Sequence, residues 1–405
     1  MLEAAQSSRQ IDALKRYQAL EMASVRMLGG WLPGIERWEI KHEVGMHLRE
    51  DAKHSQGLRM RLWELRVADP DRGVAADVTR LMHLFASAQT DAEFLTGLYL
   101  CLKQALLDAY KQYVATTYSV LDAPSVAMLK PIIAEKEAQL AWARPALKAV
   151  NDSGEKQRNA TRWLEYCDRL LSAHGGLSGQ GAISDPPAPL PGYALRLPFD
   201  DARRDERFKM GVPPLAMPTE ANPLDYTVFQ FAHYGAEMQA AETLGSVLWE
   251  AESMPWEFYH DIAHHCSDEV RHSKLGEARL SQLGHHITDF PHTTGNYAWR
   301  QRVDPMRRFC ALTYVIEADA FAYKNKSYQN YLTWGDQQSA ESVLFDIIDE
   351  TLHVRYGKKW VPELIKHSGY GGSVEGLVEE CRELVLKNTL SPAQREAAAS
   401  AGRRS

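Results

Sequence analysis

The chain has 405 residues and a formal net charge of −7, with 46 basic and 53 acidic residues. This length favours two or three domains of roughly 150 residues each. A protein that binds nucleic acid mainly through charge needs a basic stripe, and the sequence contains none. The five cysteines are scattered and lack any CxxC spacing, so they indicate neither a disulfide framework nor a zinc knuckle.

The sequence shows no membrane or export signal. No stretch reaches the roughly 18 apolar residues that a membrane span needs. The beginning of the chain lacks the charged start and apolar run of a secretory leader. We therefore expect a cytoplasmic protein that has neither a membrane nor a nucleic acid as its partner.

Two helical zones are separated by a segment rich in helix breakers. Residues 1–172 and 224–390 show helical periodicity, whereas residues 173–223 hold nine of the 19 prolines. This pattern excludes a long helix in the middle segment and predicts a linker there. The whole protein is thus predicted to be all-α, with two helical domains, a Pro/Gly-rich linker and a flexible tail over residues 391–405.

The C-terminal domain is predicted to contain four long helices. They run from about Tyr226 to Trp249, from a cap near Ser253 to Gly284, from Asp304 and Pro305 to Tyr331, and from Ser339 to His367. Short links join the first helix to the second and the third to the fourth. The middle connection is 20 residues long, which is the single long crossover of one class of four-helix bundle.

Two of these helices carry the same pattern of acids and histidine. Residues 268–272 read D-E-V-R-H, and residues 349–353 read D-E-T-L-H. A carboxylate and a histidine three positions later lie on one helical face and can share a metal ion. The spacing alone is weak, because seven such pairs occur where chance predicts about two.

A glutamate precedes each pattern at nearly the same interval. Glu237 precedes Glu269 by 32 residues, and Glu317 precedes Glu350 by 33. Two helices that each give a glutamate, and two that each give a Glu-x-x-His pair, form the ligand set of a paired-metal site. Carboxylates with one imidazole per ion favour iron, or manganese, over ions that prefer thiolates.

Two positions leave the ligand set open. Glu242 could take the place of Glu237, but it would shorten the first interval to 27 residues and face about 140° away, so we favour Glu237. His265 lies on the same face as Glu269 and is either a further ligand or a histidine of the core. Its counterpart in the second half is Asp346, another candidate ligand or proton relay.

These motifs resemble those of the di-iron carboxylate proteins of the ferritin-like superfamily. The oxygenase and desaturase branches of that superfamily repeat an acidic residue followed, some thirty positions later, by D-E-x-R-H. The first motif of this chain matches the pattern, whereas Leu352 replaces the arginine in the second. The C-terminal zone also resembles a bacterial ferritin-like group of unknown function.

The resemblance implies a cofactor of two iron ions, or manganese, and a role for each motif residue. The implied metal ligands are Glu237, Glu269, His272, Glu317, Glu350 and His353, with His265 as a further candidate. Asp268 and Asp349 would accept the N–H of a ligand imidazole and fix its tautomer. The implied catalytic set is Glu269, Glu350, Asp268 and Asp349.

The N-terminal zone resembles a degenerate copy, so two ferritin-like four-helix bundles in tandem are expected. Glu21-Met22 parallels Glu237-Met238, and His47, Asp51 and His54 parallel His265, Glu269 and His272. In the second half of the copy, alignment places Gln104 at the position of Glu317, Lys136 at that of Glu350 and Gln139 at that of His353. Amides and an ammonium cannot replace anionic oxygens, so a packing or dimerisation role is expected here. A single ion on Glu21, Asp51 and His54 remains open.

Three functions are consistent with the pattern. The favoured one is an enzyme that uses dioxygen and two irons to oxidise a small organic molecule by hydroxylation, desaturation or N-oxygenation. No flavin, nicotinamide or iron–sulfur motif is present, so a separate reductase or ferredoxin is expected to supply the electrons. The alternatives are a non-enzymatic iron or peroxide handler, which the fused degenerate bundle disfavours, and a metal-free structural or interaction protein.

Overall fold

The computed structural model of the chain is almost entirely helical. It describes residues 2–177, 181, 184–195, 197, 202–211 and 215–389, with side chains from residue 9 onward. Within these ranges the strands are β1 (Lys209–Met210) and β2 (Pro291–His292), which pair in parallel. The predicted all-α class is therefore confirmed. The predicted flexible tail, residues 391–405, lies outside the described residues.

The chain divides into two compact units, Met1–Pro198 and Phe199–Ser405. The boundary falls inside the Pro/Gly-rich segment that the sequence analysis interprets as a linker. Parts of that segment pack onto each unit. Tyr193 stacks on Trp163 of the first unit with 5.2 Å between ring centroids, and Arg204 forms an ion pair with Glu242 of the second.

Long helices in packed pairs form the first unit. Their bounds are α1 (Leu2–Trp31), α2 (Trp38–Glu64), α3 (Ala75–Ala86), α4 (Asp91–Thr96), α5 (Gln104–Thr116), α6 (Ala123–Val150) and α7 (Gly154–Ala173). Helix α1 packs on α2, α5 packs on α6, and α2 also contacts α6. A π-helical segment, Gly97–Lys103, joins α4 to α5 without a break.

The second unit also consists of packed pairs of long helices. Their bounds are α8 (Pro223–Tyr234), α9 (Met238–Glu250), α10 (Trp256–Gln282), α11 (Gly295–Arg300), α12 (Pro305–Cys310), α13 (Glu317–Trp334), α14 (Gln337–Ser368) and α15 (Val374–Thr389). Helices α8 and α9 pack on α10, α13 packs on α14, and α10 contacts α14.

Two of the four predicted helices of this unit are composite. A 3₁₀ turn, Gly235–Glu237, joins α8 to α9, and a π-helical segment, Ala311–Ile316, joins α12 to α13. Both irregular segments stand immediately next to a candidate ligand: Glu237 ends the 3₁₀ turn, and Glu317 is the first residue of α13. The changes of helical pitch therefore set the direction in which these two glutamates point.

Short polar side chains fix where several helices begin. Asn222, Asp304 and Asp336 each accept a hydrogen bond from the backbone N–H three residues later, at the starts of α8, α12 and α14. The predicted cap near Ser253 is wrong. Ser253 has a φ of 60°, so the chain turns at this residue and α10 begins only at Trp256, without a side-chain cap.

Candidate metal centre

Four buried side chains from three helices converge in the second unit. His265 and Glu269 come from α10, Glu317 from α13 and His353 from α14, and each is at most 3% exposed. One nitrogen or oxygen atom from each lies within 4.8 Å of the other three. We call these four residues the first cluster. It contains four of the predicted metal ligands, including His265.

The donor atoms of the first cluster face one another at short range. His265 Nε2 lies 2.7 Å from Glu317 Oε1 and 3.2 Å from Glu269 Oε1. His353 Nδ1 lies 3.2 Å from the same Glu269 oxygen, and the two imidazole rings stack with 3.7 Å between centroids. Each histidine therefore presents a ring nitrogen to the carboxylates.

The charges of the first cluster are strongly coupled. Burial alone would lower the pKa of His265, yet the carboxylates of Glu317 and Glu269 raise it to about 9. Burial alone would raise the pKa of Glu269, yet hydrogen bonds with the surrounding histidines hold it well below its usual range. The raised pKa of His265 thus favours a proton on its imidazole, which gives the neighbouring carboxylates a positive charge in the absence of a metal ion.

Several atoms of this cluster are buried without a hydrogen-bond partner among the described residues. They include His353 Nδ1, His265 Nδ1 and Glu317 Oε2. Buried polar atoms are nearly always paired with protein, water or an ion, so such orphans need an explanation. A cation on the imidazole nitrogens and carboxylate oxygens would satisfy His353 Nδ1, which lies 3.2 Å from Glu269 Oε1 and 3.9 Å from Glu317 Oε1. The donor set therefore fits a metal ion.

The aspartate of each motif forms a hydrogen bond with the histidine of the other motif. Asp268 Oδ2 lies 3.3 Å from Nε2 of His353, and Asp349 Oδ2 lies 3.0 Å from Nε2 of His272. Each aspartate thus accepts the N–H of the histidine in the other motif, so that Nδ1 of His353 and Nδ1 of His272 both face Glu269. Burial would raise the pKa of Asp268, but the hydrogen bond from His353 lowers it to about 2.

Arg271 explains the difference between the two motifs. Its guanidinium donates to Asp268 at 3.1 Å and also to Asp349. One arginine therefore bridges the aspartates of both motifs. The second motif has Leu352 in the equivalent position, and its Asp349 already accepts a hydrogen bond from Arg271 of the first motif.

The other predicted ligands lie beside the first cluster rather than in it. His272 Nδ1 is 3.5 Å from Glu269 Oε2 and 3.4 Å from Asp346 Oδ1. Asp346, the predicted counterpart of His265, also accepts a hydrogen bond of 2.7 Å from the Tyr234 hydroxyl. His272 and Asp346 are both fully buried.

A lysine stands among these remaining residues. The ammonium of Lys324 donates to Asp346 at 2.9 Å and to Glu350. Burial raises the pKa of Glu350 well above its usual range, against the opposing charge of Lys324. We call His272, Lys324, Asp346 and Glu350 the second cluster.

Glu237 lines a cavity next to the second cluster. The cavity has a volume of about 220 Å³, and Lys324 and Tyr234 line it together with the apolar side chains of Phe229 and Met217. Burial raises the pKa of Glu237 to about 7, although Lys324 opposes the rise. Burial therefore favours the protonated form of its carboxyl group in the metal-free protein.

Glu242, the alternative to Glu237, is engaged elsewhere. It is fully buried, and its two oxygens accept hydrogen bonds of 2.7 and 3.0 Å from Arg204 of the Pro/Gly-rich segment. Arg204 also donates to His292 of β2. This ion pair accounts for the burial of Glu242 without a metal ion.

Sequence reasoning missed two cations of this region. Lys324 lies seven residues, or two turns, after Glu317 on the same helix, so the helical spacing carried a signal. Arg300 of α11 is buried as well, and burial lowers its pKa to about 10 despite the nearby Glu237 and Glu317. Arg300 lies in the connection between α10 and α12, where the sequence shows no motif.

The first unit has a buried ionic cluster of its own. Glu21, Asp51 and His54 place one donor atom each within 4.8 Å of the others. Lys136 Nζ lies 2.7 Å from both Glu21 Oε2 and Asp51 Oδ1, and Lys103 Nζ lies 2.7 Å from Asp51 Oδ2. Two buried ammonium groups thus already neutralise the two carboxylates.

Two details of the predicted N-terminal copy differ in the structure. Lys103, rather than Gln104, reaches the ionic cluster, since Gln104 instead donates to Asp108 at 3.1 Å. His47 makes its 2.7 Å hydrogen bond with Tyr99. Gln104 and Glu317 each stand directly after a π-helical segment, so they hold equivalent places in the two units, but in the first unit the preceding Lys103 supplies the contact to the cluster.

Comparison with known proteins gives one family. Residues 184–403 match the family model described as "Protein of unknown function (DUF455)". This range includes both clusters and most of the second unit. No curated protein and no solved structure matches the chain. Among the described residues, no helix has the length and apolar character required to cross a membrane.

Proposed function

Since the chain belongs to the family of proteins of unknown function (DUF455), we propose its function from the geometry of the C-terminal unit. The proposal is an oxidoreductase that uses iron, or manganese, and dioxygen to oxidise a small organic molecule. The observation that carries it is the first cluster, in which four buried donor atoms lie within 4.8 Å of one another. The packed pairs of long helices around it support a ferritin-like interpretation of this unit.

The first cluster offers the ligands that iron and manganese accept. Glu269 and Glu317 give carboxylate oxygens, and His265 and His353 give imidazole nitrogens. When bound there, such a metal supplies the electron transfer to dioxygen that protein side chains do not provide. The second ion that the motifs imply would draw on Glu237, His272 and Glu350, of which His272 has its Nδ1 3.5 Å from Glu269 Oε2.

The surrounding residues orient the donors. Asp268 and Asp349 accept the Nε2–H of His353 and His272, so that each imidazole keeps one tautomer and turns Nδ1 toward the carboxylates. Arg271 holds both aspartates in place. Preorganisation of this kind spares the protein from reorganising its ligands when a metal ion binds.

The cavity beside Glu237 suits a small, largely apolar substrate. It is about 220 Å³ in volume, and apolar and aromatic side chains share its wall with Glu237 and Lys324. Apolar walls exclude water, while the carboxylate and ammonium can orient a polar group of the substrate. Electrons would come from a separate reductase or ferredoxin, as the sequence analysis expects.

Metal analysis of matched variants tests the proposal. We expect wild-type protein reconstituted anaerobically with Fe²⁺ to retain iron after desalting, and we expect Glu269→Gln and His353→Gln to lose it. The control is Glu341→Gln, which changes an exposed glutamate on α14 and should retain the wild-type iron content. Wild-type protein without bound iron or manganese would contradict the proposal.

Oxygen consumption separates the enzyme from an iron-handling protein. With a chemical reductant present, a library of small aromatic and aliphatic compounds should include members that increase the rate of oxygen consumption by the iron-loaded protein. His353→Gln should abolish this increase. A rate of oxygen consumption that rises with added Fe²⁺ but with none of the organic compounds would favour iron handling instead.

A further inference from the structure

We propose that the ammonium of Lys324 occupies the second cation position of the centre, so that the wild-type protein binds one metal ion in the first cluster. This inference rests on the proposed function, because it concerns how the same centre is loaded. It departs from the two ions that the motifs imply. It identifies a lysine of the chain as the occupant of the position where the second ion is expected.

The contacts of Lys324 are those of a bound cation. Its Nζ lies 2.9 and 2.8 Å from the two oxygens of Asp346 and also donates to Glu350. The lysine side chain is 9% exposed, and that of Asp346 is fully buried. A metal ion on the same oxygens would need them at roughly 2.0 to 2.2 Å, which leaves no room for an ammonium between them.

The first cluster lacks such an occupant. Among the described residues, neither Glu269 nor Glu317 forms an ion pair with a lysine or an arginine, and their ionic contacts are with histidines. Histidine can release its proton and bind a metal ion through the same nitrogen, whereas an ammonium group offers no lone pair. The two clusters therefore differ in the group that pairs with their carboxylates. In the first cluster it is a histidine, which can bind a metal ion, and in the second it is a lysine ammonium, which cannot.

The first unit provides an independent example of the same device. Lys136 Nζ lies 2.7 Å from both Glu21 and Asp51, and all three side chains are fully buried. The lysine comes from α6 in the first unit, whereas Lys324 comes from α13 in the second. Each unit thus uses buried ammonium groups, from different helices, to neutralise carboxylates at its centre.

Metal stoichiometry tests the inference directly. Full-length protein is stripped with a chelator and titrated with Mn²⁺, whose free form is counted by electron paramagnetic resonance, and separately with Fe²⁺ under anaerobic conditions. We expect one ion per chain in the wild type and two in Lys324→Met, which keeps the length of the side chain and removes its charge. Lys326→Met, an exposed lysine two residues away on the same helix, should bind one ion.

Two further variants keep the test decisive even if Lys324→Met does not fold. Lys324→Arg preserves the positive charge and should bind one ion. Glu350→Gln should also keep the single ion, because Glu350 contacts Lys324 and is not part of the first cluster.

Each outcome has a separate meaning. Two tightly bound ions in the wild type would overturn the inference and leave the metal-dependent function intact. One ion in folded Lys324→Met, or loss of the ion in folded Glu350→Gln, would also overturn it. A wild type that binds neither Mn²⁺ nor Fe²⁺ would contradict the proposed function itself.

Discussion

Lys324 and Arg271 show what sequence spacing reveals about single residues and what it leaves out. The repeated motifs predict that Glu269, Glu317 and His353 share one site and leave His265 as a further candidate, and the structure brings all four together. Spacing identifies them because acids and histidines on one helical face can bind the same metal ion. The spacing of Lys324 places it on the same helical face as Glu317, but a lysine is usually solvated, and only the packing of α13 on α14 shows that its ammonium lies between two carboxylates.

The choice between Glu237 and Glu242 can be tested through stability. We expect Glu242→Gln to lower the free energy of unfolding by about 3 to 5 kcal/mol, because it leaves the buried Arg204 without its counter-charge. Glu237→Gln should change this free energy by less than about 1 kcal/mol, since Glu237 has no ion pair with a described residue and its burial disfavours the charged form. Urea denaturation of the metal-free protein at pH 7 measures both values.

The metal content of the same two variants provides the control. Both should bind the ion of the first cluster, which contains neither residue. If Glu242→Gln were as stable as the wild type but bound no metal, Glu242 would be the ligand and the interpretation of Glu237 would be wrong.

At the scale of the helices, irregular segments decide where the candidate residues point. A π-helical segment stands directly before Glu317 in the second unit, and another ends at Lys103 in the first. Each changes the register of the residues after it, so a strict 3.6-residue period cannot predict which side chain faces inward. This is why the sequence predicts the helices well but does not indicate that Lys103, the last residue of a π-helical segment, reaches the ionic cluster.

Gly357 allows α14 to approach the π-helical segment of the second unit. A Cβ atom at this position would lie 2.4 Å from Thr313 Oγ1, so Gly357→Ala should push α14 away one turn after His353. We expect a loss of roughly 1 to 3 kcal/mol in the free energy of unfolding and at least a tenfold weaker affinity for Mn²⁺. Urea denaturation and a Mn²⁺ titration measure the two effects.

A glycine in α15 serves as the matched control. At Gly376 an added Cβ would meet no atom closer than 3.7 Å, so Gly376→Ala should leave Mn²⁺ affinity unchanged. It should stabilise the helix by up to about 1 kcal/mol. Wild-type affinity in Gly357→Ala would show that the close contact does not position His353.

At the scale of the whole molecule, the two units neutralise their buried carboxylates differently. The second unit, which the DUF455 model largely covers, keeps one cluster whose carboxylates form ion pairs with histidines and, among the described residues, with no lysine or arginine. The first unit, most of which lies outside the matched residues, fills its cluster with Lys103 and Lys136. The loss of paired-metal ligands there was predictable from the sequence, whereas the contribution of Lys103 was not, because it depends on the π-helical register.

Removal of one of these lysines should destabilise the first unit. We expect Lys136→Met to lower the free energy of unfolding by about 3 to 5 kcal/mol at pH 7, because Glu21 and Asp51 lose the buried cation that they share. Lys130→Met changes an exposed lysine of the same helix and should have little effect. Urea denaturation followed by hydrogen exchange of the α1, α2 and α6 amides measures the change.

The loss of stability in Lys136→Met should depend on pH. Burial would raise the pKa of Glu21 and of Asp51, but the buried lysines hold both below their usual values of about 4. Acids with a depressed pKa in the folded state contribute stability that is present above their usual pKa and is lost as the pH falls through the folded value. The difference between wild type and Lys136→Met should therefore be largest at pH 7 and shrink below about pH 4. An equal difference at pH 7 and pH 3 would contradict this account.

The crosswise pairing of Asp268 with His353, and of Asp349 with His272, has a consequence for sequence drift. Loss of one aspartate would remove the hydrogen bond to the histidine of the other motif. The histidine in the same motif would keep its hydrogen bond to the other aspartate. The two motifs therefore cannot diverge separately. Substitutions at these four positions should be inherited in matched pairs, each aspartate with the histidine of the other helix.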